Sequence, residues 1–562
     1  MRDAVTIFET VIQRNFGPLI VLVLSCAACI APQFGSVVLR PIERFGARLA
    51  EKKLLSICLV GVAAAVIRVS LLWILPVPIP RFHDEFSYLL ASDTFAHGRL
   101  ANPSHAMWVY FDTFHVNQHP NYVSMYPPAQ GAILALGQLL GHPWVGVLLS
   151  ISAMCAAVLW MLQGWLPPPW ALVGGVLVLF RLGIFSYWAN SYWGGAVAAT
   201  GGALAIGALP RILHSCRSRD AVILGIGTAI LANSRPFEGI VFLTFIYVVL
   251  VAWLFGSHGC VPRVKLRRIV APLCLVLLLC GTFILYYNSR ATGNPWHLPY
   301  TINNQNHFAV PLLAWQRVQQ PFQFSNPQFD TYYNVWWPSV AWKNGHPDSA
   351  KHIGLALKNN GIDFVRFYLG SELCVPLIAL PWLLRDRRVR FLVLQWTTCF
   401  AGFLLVAWFL PHYAAPLTAT TFALVVQGMR HVRRWHFNKR PIGIGVSRAI
   451  FLCALFLAPV RFRTVTSPID NRATIAAKLR AVPGDQLVIV RYSLQHDPEQ
   501  EWVYNRADID RANVVWAREI PSVSLQPLLN YFHGRKVWLV EPDSGSLQLL
   551  PYDSYVHRSK RP

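Results

Sequence analysis

The residues best suited to chemistry are two adjacent carboxylates, Asp84 and Glu85, which follow an apolar segment at residues 54–77. About 20 apolar residues cross a bilayer, because each helical residue advances ~1.5 Å and the hydrocarbon core is ~30 Å thick. The pair therefore lies just outside a predicted membrane span. A carboxylate at such a boundary is suited to take a proton from a hydroxyl group. The alternative is a solvated cap at a helix N-terminus.

The segment after the carboxylates is predicted to be an amphipathic helix at residues 86–98, because its apolar residues recur at each helical turn. Asp84 and Glu85 would begin this helix, which we expect to lie on the membrane surface. A second apolar segment, residues 129–140, follows Pro127 and Pro128 and is too short to span a bilayer. We expect it to lie along the interface.

The composition indicates a polytopic membrane protein. Hydrophobic residues make up 54% of the 562 residues and charged residues 13%, against about 25% charged in soluble domains. The net charge of +23 comes from short basic clusters between apolar segments, which is typical of cytoplasmic loops and argues against a nucleic-acid partner. The clusters are residues 40–53, 211–219, 263–268, 385–390 and 430–440.

Placing every basic cluster on the cytoplasmic side predicts 11 transmembrane helices, or 12 if residues 16–30 also cross. The other predicted spans are residues 54–77, 144–163, 170–187, 195–213, 221–233, 239–255, 269–287, 367–384, 391–410, 414–429 and 442–460. Three regions follow: an N-terminal region at 1–53, a transmembrane domain at 54–462 with large outer loops at 78–143 and 288–366, and a soluble extracytoplasmic domain at 463–562.

The last region alternates short β-rich segments with helical ones, which predicts a small α/β domain with a partly parallel sheet. The predicted strands are residues 486–491, 514–518 and 536–541, and the predicted helices are residues 473–479 and 525–532. We interpret it as an accessory or docking domain. The fold class is therefore mainly α, a polytopic membrane protein with a C-terminal α/β domain.

The order of the motifs in residues 54–430 resembles the GT-C glycosyltransferases, and within them the protein O-mannosyltransferase and lipid A aminoarabinose transferase group. A span is followed by Asp-Glu-x-x-Tyr at residues 84–88, by a juxtamembrane helix ending near residues 97–100, and by Tyr-Pro-Pro at residues 126–128. His412 and Tyr413, with Pro416, resemble a late Arg-Tyr-x-x-Pro motif, although histidine replaces arginine.

The resemblance implies transfer of a sugar from a polyprenyl-phosphate carrier, with inversion, on the outer face of the membrane. It implies that Asp84 is the general base, that Glu85 positions it or the acceptor, and that Tyr88 contributes to substrate binding. The family often carries another acidic residue in the next outer loop. Residues 187–195 contain none, which weakens the case for a metal held by two carboxylates.

A phosphate leaving group requires cations, and arginine suits it because its planar guanidinium binds two phosphate oxygens. The candidates are Arg235, Arg290 and His412, with Glu238 and Tyr413 beside them. For Arg235 the alternative is an internal ion pair with Glu238. For His412 the alternative is an interfacial or capping histidine.

We predict no cofactor, although a divalent metal remains open, because His105, His115 and His119 lack a compelling ligand spacing. The predicted partners are the polyprenyl-phosphate sugar donor, an acceptor of unspecified class (protein, lipid or glycan) and the lipid bilayer. The predicted location is the inner or plasma membrane, with the C-terminal domain outside. Two alternatives stay open: a transporter or lipid flippase, and a non-enzymatic envelope scaffold.

Overall fold

The computed structural model describes residues 17–257, 259–310, 313, 318–341, 350–403, 406, 408–463, 471–544 and 547–552. Within them, seven helices are long and apolar enough to cross a membrane. They are Lys53–Ser70, Pro143–Trp165, Gly195–Ser215, Pro236–Phe255, Pro262–Thr292, Leu357–Leu383 and Ile442–Val460. The prediction of a mainly helical, polytopic membrane protein is confirmed.

The other predicted spans correspond to shorter helices, so their crossing of the membrane stays a prediction. These helices are Gly17–Ile30, Pro168–Ile184, Ser218–Ala232, Arg387–Phe403 and Thr418–Val432. A further helix, Ser36–Glu51, precedes the first long span. The predicted boundary between membrane and C-terminal domains adjoins residues 464–470, which lie outside the described residues.

The described parts of the two predicted outer loops are folded into short elements. Two of these elements are helices that position Asp84. They are the site helix, His83–Ala96, and the interfacial helix, Pro128–Leu139. The others are the strands Asn102–Pro103, Val116–Asn117 and Asn121–Ser124, the 3-10 helix Trp108–Tyr110, and the helices Pro299–His307, Pro327–Asp330 and Trp337–Ala341.

Glycines set how closely the site helix approaches the membrane helices. A Cβ atom on Gly131 of the interfacial helix would lie 2.5 Å from the Cβ of Ala91 in the site helix. A Cβ atom on Gly137 would lie 2.1 Å from the backbone nitrogen of Gly146, in the span Pro143–Trp165. Only glycine fits such contacts, because any side chain would force the backbones apart. The interfacial helix thus fixes the site helix to the bundle.

The C-terminal domain is an α/β unit, as predicted. Its sheet has the strand order Val514–Arg518, Gln486–Val490, Lys536–Val540, Leu549–Pro551; the first three strands are parallel and the last is antiparallel. The helices Asn471–Arg480 and Gln526–Tyr531 accompany it, with the 3-10 helix Pro498–Gln500. Each predicted strand and helix lies within a few residues of an observed one.

The two faces of this sheet have different neighbours. Val488 and Val490 point towards Ile475 and Leu479 of the helix Asn471–Arg480. Alternate residues, such as Leu487, belong to a cluster that includes apolar side chains of the first outer loop. Those loop side chains are Leu90, Tyr110, Phe111, Val116 and Tyr122. Parallel sheets are normally covered on both faces, and here the membrane domain supplies part of that cover.

Candidate active site

Asp84 lies in the first turn of the site helix, and its side chain is 24% exposed. Its Oδ1 atom accepts a hydrogen bond from the hydroxyl group of Tyr126 and lies 3.9 Å from Nδ1 of His115. No hydrogen bond to Oδ2 occurs among the described residues. The carboxylate is therefore held through one oxygen and retains the other for a ligand.

A chain of hydrogen bonds leads from Asp84 into the outer loops. The Tyr126 hydroxyl is 3.2 Å from Nδ1 of His115, and Nε2 of His115 is 3.3 Å from the Tyr332 hydroxyl. Burial lowers the pKa of His115, against the opposing effect of Asp84, so the imidazole is neutral. When the imidazole hydrogen is on Nδ1, the Tyr332 hydroxyl donates to Nε2 of His115, and Nδ1 of His115 donates to the Tyr126 oxygen. The Tyr126 hydroxyl in turn donates to Asp84. The chain orients the Tyr126 hydroxyl onto the carboxylate.

The backbone at His115 is held in a conformation that non-glycine residues rarely adopt, with φ of 59°. Its carbonyl accepts from the Ser87 hydroxyl at 2.6 Å and from the Met125 N–H at 3.1 Å. Ser87 belongs to the site helix, so these contacts tie the loop to the helix that carries Asp84. Such backbone strain persists where surrounding contacts enforce it and is concentrated at functional sites.

Glu85 is buried and serves as an organiser of the backbone. Its Oε2 accepts from the N–H groups of Arg81 (2.9 Å) and Phe82 (3.2 Å), and its Oε1 accepts from the N–H of Tyr192 (3.0 Å). Burial raises the pKa of Glu85, and the three N–H donors oppose that shift. The side chain joins the start of the site helix to the outer loop at residues 187–195.

Tyr88 lies within electrostatic range of both the Asp84 carboxylate and the Arg235 guanidinium. Its ring stacks on Tyr126, with the centroids 4.5 Å apart. Burial raises the pKa of Tyr88; Arg235 lowers it, and Asp84 and Glu238 raise it, so the phenol stays protonated. The predicted residues Asp84, Tyr88 and Arg235 are therefore brought together.

Arg235 caps the span Pro236–Phe255, and its side chain is 16% exposed. Its guanidinium lies 4.6 Å from the ring centroid of Tyr413 and 3.9 Å from Oε1 of Glu238. No hydrogen bond joins the guanidinium to another side chain among the described residues. The alternative of an ion pair between Arg235 and Glu238 is thus present, although the two groups are 3.9 Å apart. The N–H donors of the Arg235 guanidinium stay available to an anion.

His412 and Arg290 are placed differently from Arg235. His412 is buried, and its Nδ1 is 2.9 Å from the Tyr187 hydroxyl. Burial lowers the pKa of His412 well below its usual value, and Arg235 lowers it further, so this residue carries no charge. Arg290 is exposed at the end of the helix Pro262–Thr292, where its carbonyl accepts from Asn121 at 3.1 Å. Their predicted contact with substrate stays a prediction.

Sequence reasoning missed His115 and Tyr332 as partners of Asp84. The sequence presents His115 only as a possible metal ligand. The available signal was the Tyr-Pro-Pro motif, which placed Tyr126 next to the interfacial helix. Within the part of the chain that the structure describes, no three His, Cys, Asp or Glu side chains are placed to hold a metal ion.

The C-terminal domain contacts the site helix directly. The Ala507 N–H donates to Oδ2 of Asp93 at 2.9 Å, in a buried position. The ring of Tyr504 stacks on Phe86 with the centroids 4.2 Å apart and the planes inclined by 5°. The guanidinium of Arg472 covers Phe86 at 4.6 Å from its centroid. Phe86 is two residues from Asp84, so the domain abuts the candidate site.

Comparison with known proteins gives structural neighbours alone. No protein-family model matches the chain, and no curated protein matches it. One neighbour is the Archaeoglobus fulgidus oligosaccharyltransferase in complex with Zn and sulfate, at 12% identity and a TM-score of 0.45; the match covers 77% of this chain and 60% of that protein. Another is ArnT from Cupriavidus metallidurans bound to undecaprenyl phosphate, at 13% identity and a TM-score of 0.49, covering 89% and 94%.

Identities of 12 and 13% with TM-scores below 0.5 transfer no substrate and no residue role to this chain. The function rests on the geometry around Asp84.

Proposed function

We propose that this protein is an integral-membrane glycosyltransferase that moves a sugar from a polyprenyl-phosphate donor to an acceptor on the extracytoplasmic side, with inversion. The observation that carries the proposal is that a partly exposed carboxylate, Asp84, and a partly exposed guanidinium, Arg235, both act electrostatically on the phenol of Tyr88. A base and a cation are what transfer from a phosphate-linked sugar requires.

In the proposed reaction, Oδ2 of Asp84 takes the proton of an acceptor hydroxyl group. The acceptor oxygen forms a bond to the anomeric carbon while the bond from that carbon to the donor phosphate oxygen breaks. Attack from the face opposite the leaving phosphate inverts the configuration. Arg235 neutralises the charge that develops on the departing polyprenyl phosphate. The Tyr126 hydroxyl fixes the carboxylate orientation throughout.

One feature favours the alternative of a transporter or lipid flippase. Arg181 and Glu372 form a buried ion pair at 3.6 Å within apolar helices, and intramembrane charges often mark a transport path. However, Nε of Arg181 also donates to the Phe367 carbonyl at 2.8 Å, which is typical of a structural contact. Flux of a fluorescent undecaprenyl phosphate analogue across proteoliposomes, without sugar transfer, would support the alternative. A non-enzymatic scaffold would show neither lipid flux nor sugar transfer.

The proposal is tested with Asp84→Asn in purified protein, using undecaprenyl phosphates that carry mannose, glucose or aminoarabinose. The variant is expected to release undecaprenyl phosphate about 10² to 10⁴-fold more slowly than the wild type. Binding of undecaprenyl phosphate is expected to be unchanged, because Asn keeps the acceptor for Tyr126. Asp363→Asn, at an exposed ion pair with Arg366, is the charge-matched control. Unchanged turnover in Asp84→Asn would refute the assignment of the base.

A further inference from the structure

A cavity of about 410 Å³ lies at the end of the helix bundle opposite Asp84. It is enclosed by the end of the span Pro143–Trp165, the start of Arg387–Phe403 and the end of Thr418–Val432. Its polar lining consists of Gln163, Asp386, Arg388, Gln427 and Arg430. Nothing in the proposed reaction uses these residues.

The cavity is a full membrane span away from Asp84. Nε2 of Gln163 donates to the Lys53 carbonyl at 3.1 Å, and Lys53 begins the helix Lys53–Ser70, whose other end leads to the site helix. Those 18 residues extend about 27 Å at ~1.5 Å per residue. Two of the basic clusters, residues 385–390 and 430–440, lie at this end, which the positive-inside rule predicts to be cytoplasmic.

The two arginines of the cavity differ from others at this end of the bundle. Arg433 and Arg448 are paired with Glu43, at 3.1 and 2.9 Å. Within the described ranges, neither Arg388 nor Arg430 has a carboxylate within 4.0 Å, and the guanidinium of Arg430 reaches only Oε1 of Gln427, at 3.4 Å.

The acidic residue of the cavity is already engaged. Oδ1 of Asp386 accepts the backbone N–H of Arg388 at 2.8 Å and so caps the helix Arg387–Phe403. Two guanidinium groups therefore line a polar cavity with unused N–H donors, and each can bind phosphate oxygens in two places.

We propose that this cavity binds the phosphate headgroup of an anionic phospholipid from the adjacent leaflet. Arg388 and Arg430 would hold the phosphate, and the amides of Gln163 and Gln427 would bind the glycerol hydroxyl groups. The location between helix ends favours a lipid, because basic pockets between membrane helices on the cytoplasmic side suit anionic headgroups. Trp165, stacked on Phe391 with the ring centroids 5.8 Å apart, supplies an aromatic wall at the bilayer boundary.

The test uses full-length protein in nanodiscs of phosphatidylcholine with one fifth phosphatidylglycerol, and native mass spectrometry measures the lipid retained after release. The double variant R388Q/R430Q is expected to retain phosphatidylglycerol about 10-fold less than the wild type. The control R385Q/R390Q removes two charges from the basic cluster that contains Arg388 without altering the cavity lining, and it is expected to change retention less than 2-fold. Equal loss in both double variants would overturn the proposal.

Two further arms keep the test decisive. Inorganic phosphate at millimolar concentration is tested as a competitor. If it displaces phosphatidylglycerol and raises the thermal midpoint as much as phosphatidylglycerol does, the ligand is a free anion and the lipid assignment is wrong. If R388Q/R430Q fails to fold, Gln427→Glu places a carboxylate beside Arg430 instead. Retention is expected to fall about 10-fold in that variant, and unchanged retention would refute the proposal. Sugar transfer serves as the folding control, because these residues lie a full span from Asp84.

Discussion

Glu85→Gln distinguishes an organising carboxylate from a catalytic one. Glu85 accepts three backbone N–H bonds, from Arg81, Phe82 and Tyr192. A glutamine carbonyl can keep the first two, but its NH₂ group then faces the buried N–H of Tyr192. The variant loses one charge-assisted hydrogen bond and leaves one buried N–H without an acceptor. Together these changes lower the free energy of unfolding by about 3 kcal/mol.

The same change displaces the start of the site helix and with it Asp84. A shift of ~1 Å in a reacting group lowers a rate by roughly 10²-fold, so kcat is expected to fall by about that factor. Donor affinity should change little, because Arg235 is held by other elements. In the double variant with Asp84→Asn, Glu85→Gln should add almost nothing, since a base that is absent cannot be misplaced.

The assays are chemical denaturation followed by tryptophan fluorescence, and release of undecaprenyl phosphate at saturating donor. Glu541→Gln, which removes a partly exposed partner of Arg491, is the control and should lower stability by less than ~1 kcal/mol. If Glu85→Gln kept wild-type stability and lost as much activity as Asp84→Asn, the reasoning would be refuted, and Glu85 would itself be the base.

Three other outcomes are expected. Tyr126→Phe removes the hydroxyl that orients Asp84 and should lower kcat about 10-fold with unchanged donor binding, as measured by single-turnover kinetics. Asp93→Ala removes the acceptor of the Ala507 N–H and should speed tryptic cleavage of the C-terminal domain, by roughly 10-fold for ~1.4 kcal/mol. Burial lowers the pKa of His83 well below 6.5, so the unfolded chain gains the proton first and stability falls as pH drops below 6.5. Between pH 6.5 and 5.5 this loss is about 1 kcal/mol, and His83→Phe should remove it from the pH dependence of the thermal midpoint.

Local patterns in the sequence were sufficient to predict the main elements. The carboxylates and the helical recurrence of apolar residues after them predicted the site helix, which the structure places at His83–Ala96. The prediction that this helix is amphipathic and lies on the membrane surface is wrong, because most of its side chains are buried between the interfacial helix and the C-terminal domain. The β-branched residues at 514–518 predicted the strand Val514–Arg518 with the same bounds. Such features depend on periodicity over a few residues, which a single sequence contains.

Contacts between distant segments could not be predicted in this way. The pairing of Glu85 with the Tyr192 backbone joins residues 107 positions apart. The His115–Tyr126 contact depends on a left-handed backbone at His115, a conformation that no residue type at that position signals. The neutral state of His412 depends on its burial by the rings around it. The sequence alone had presented it as a candidate cation at a span end.

The sharing of one sheet face between the C-terminal domain and the first outer loop has a consequence for biosynthesis. During translation, the helix bearing Asp84 leaves the ribosome hundreds of residues before Tyr504 and Ala507. Until the late segment has folded, Phe86 and Asp93 lack their stacking and hydrogen-bonding neighbours. The candidate site therefore reaches its full geometry only when the final strands assemble.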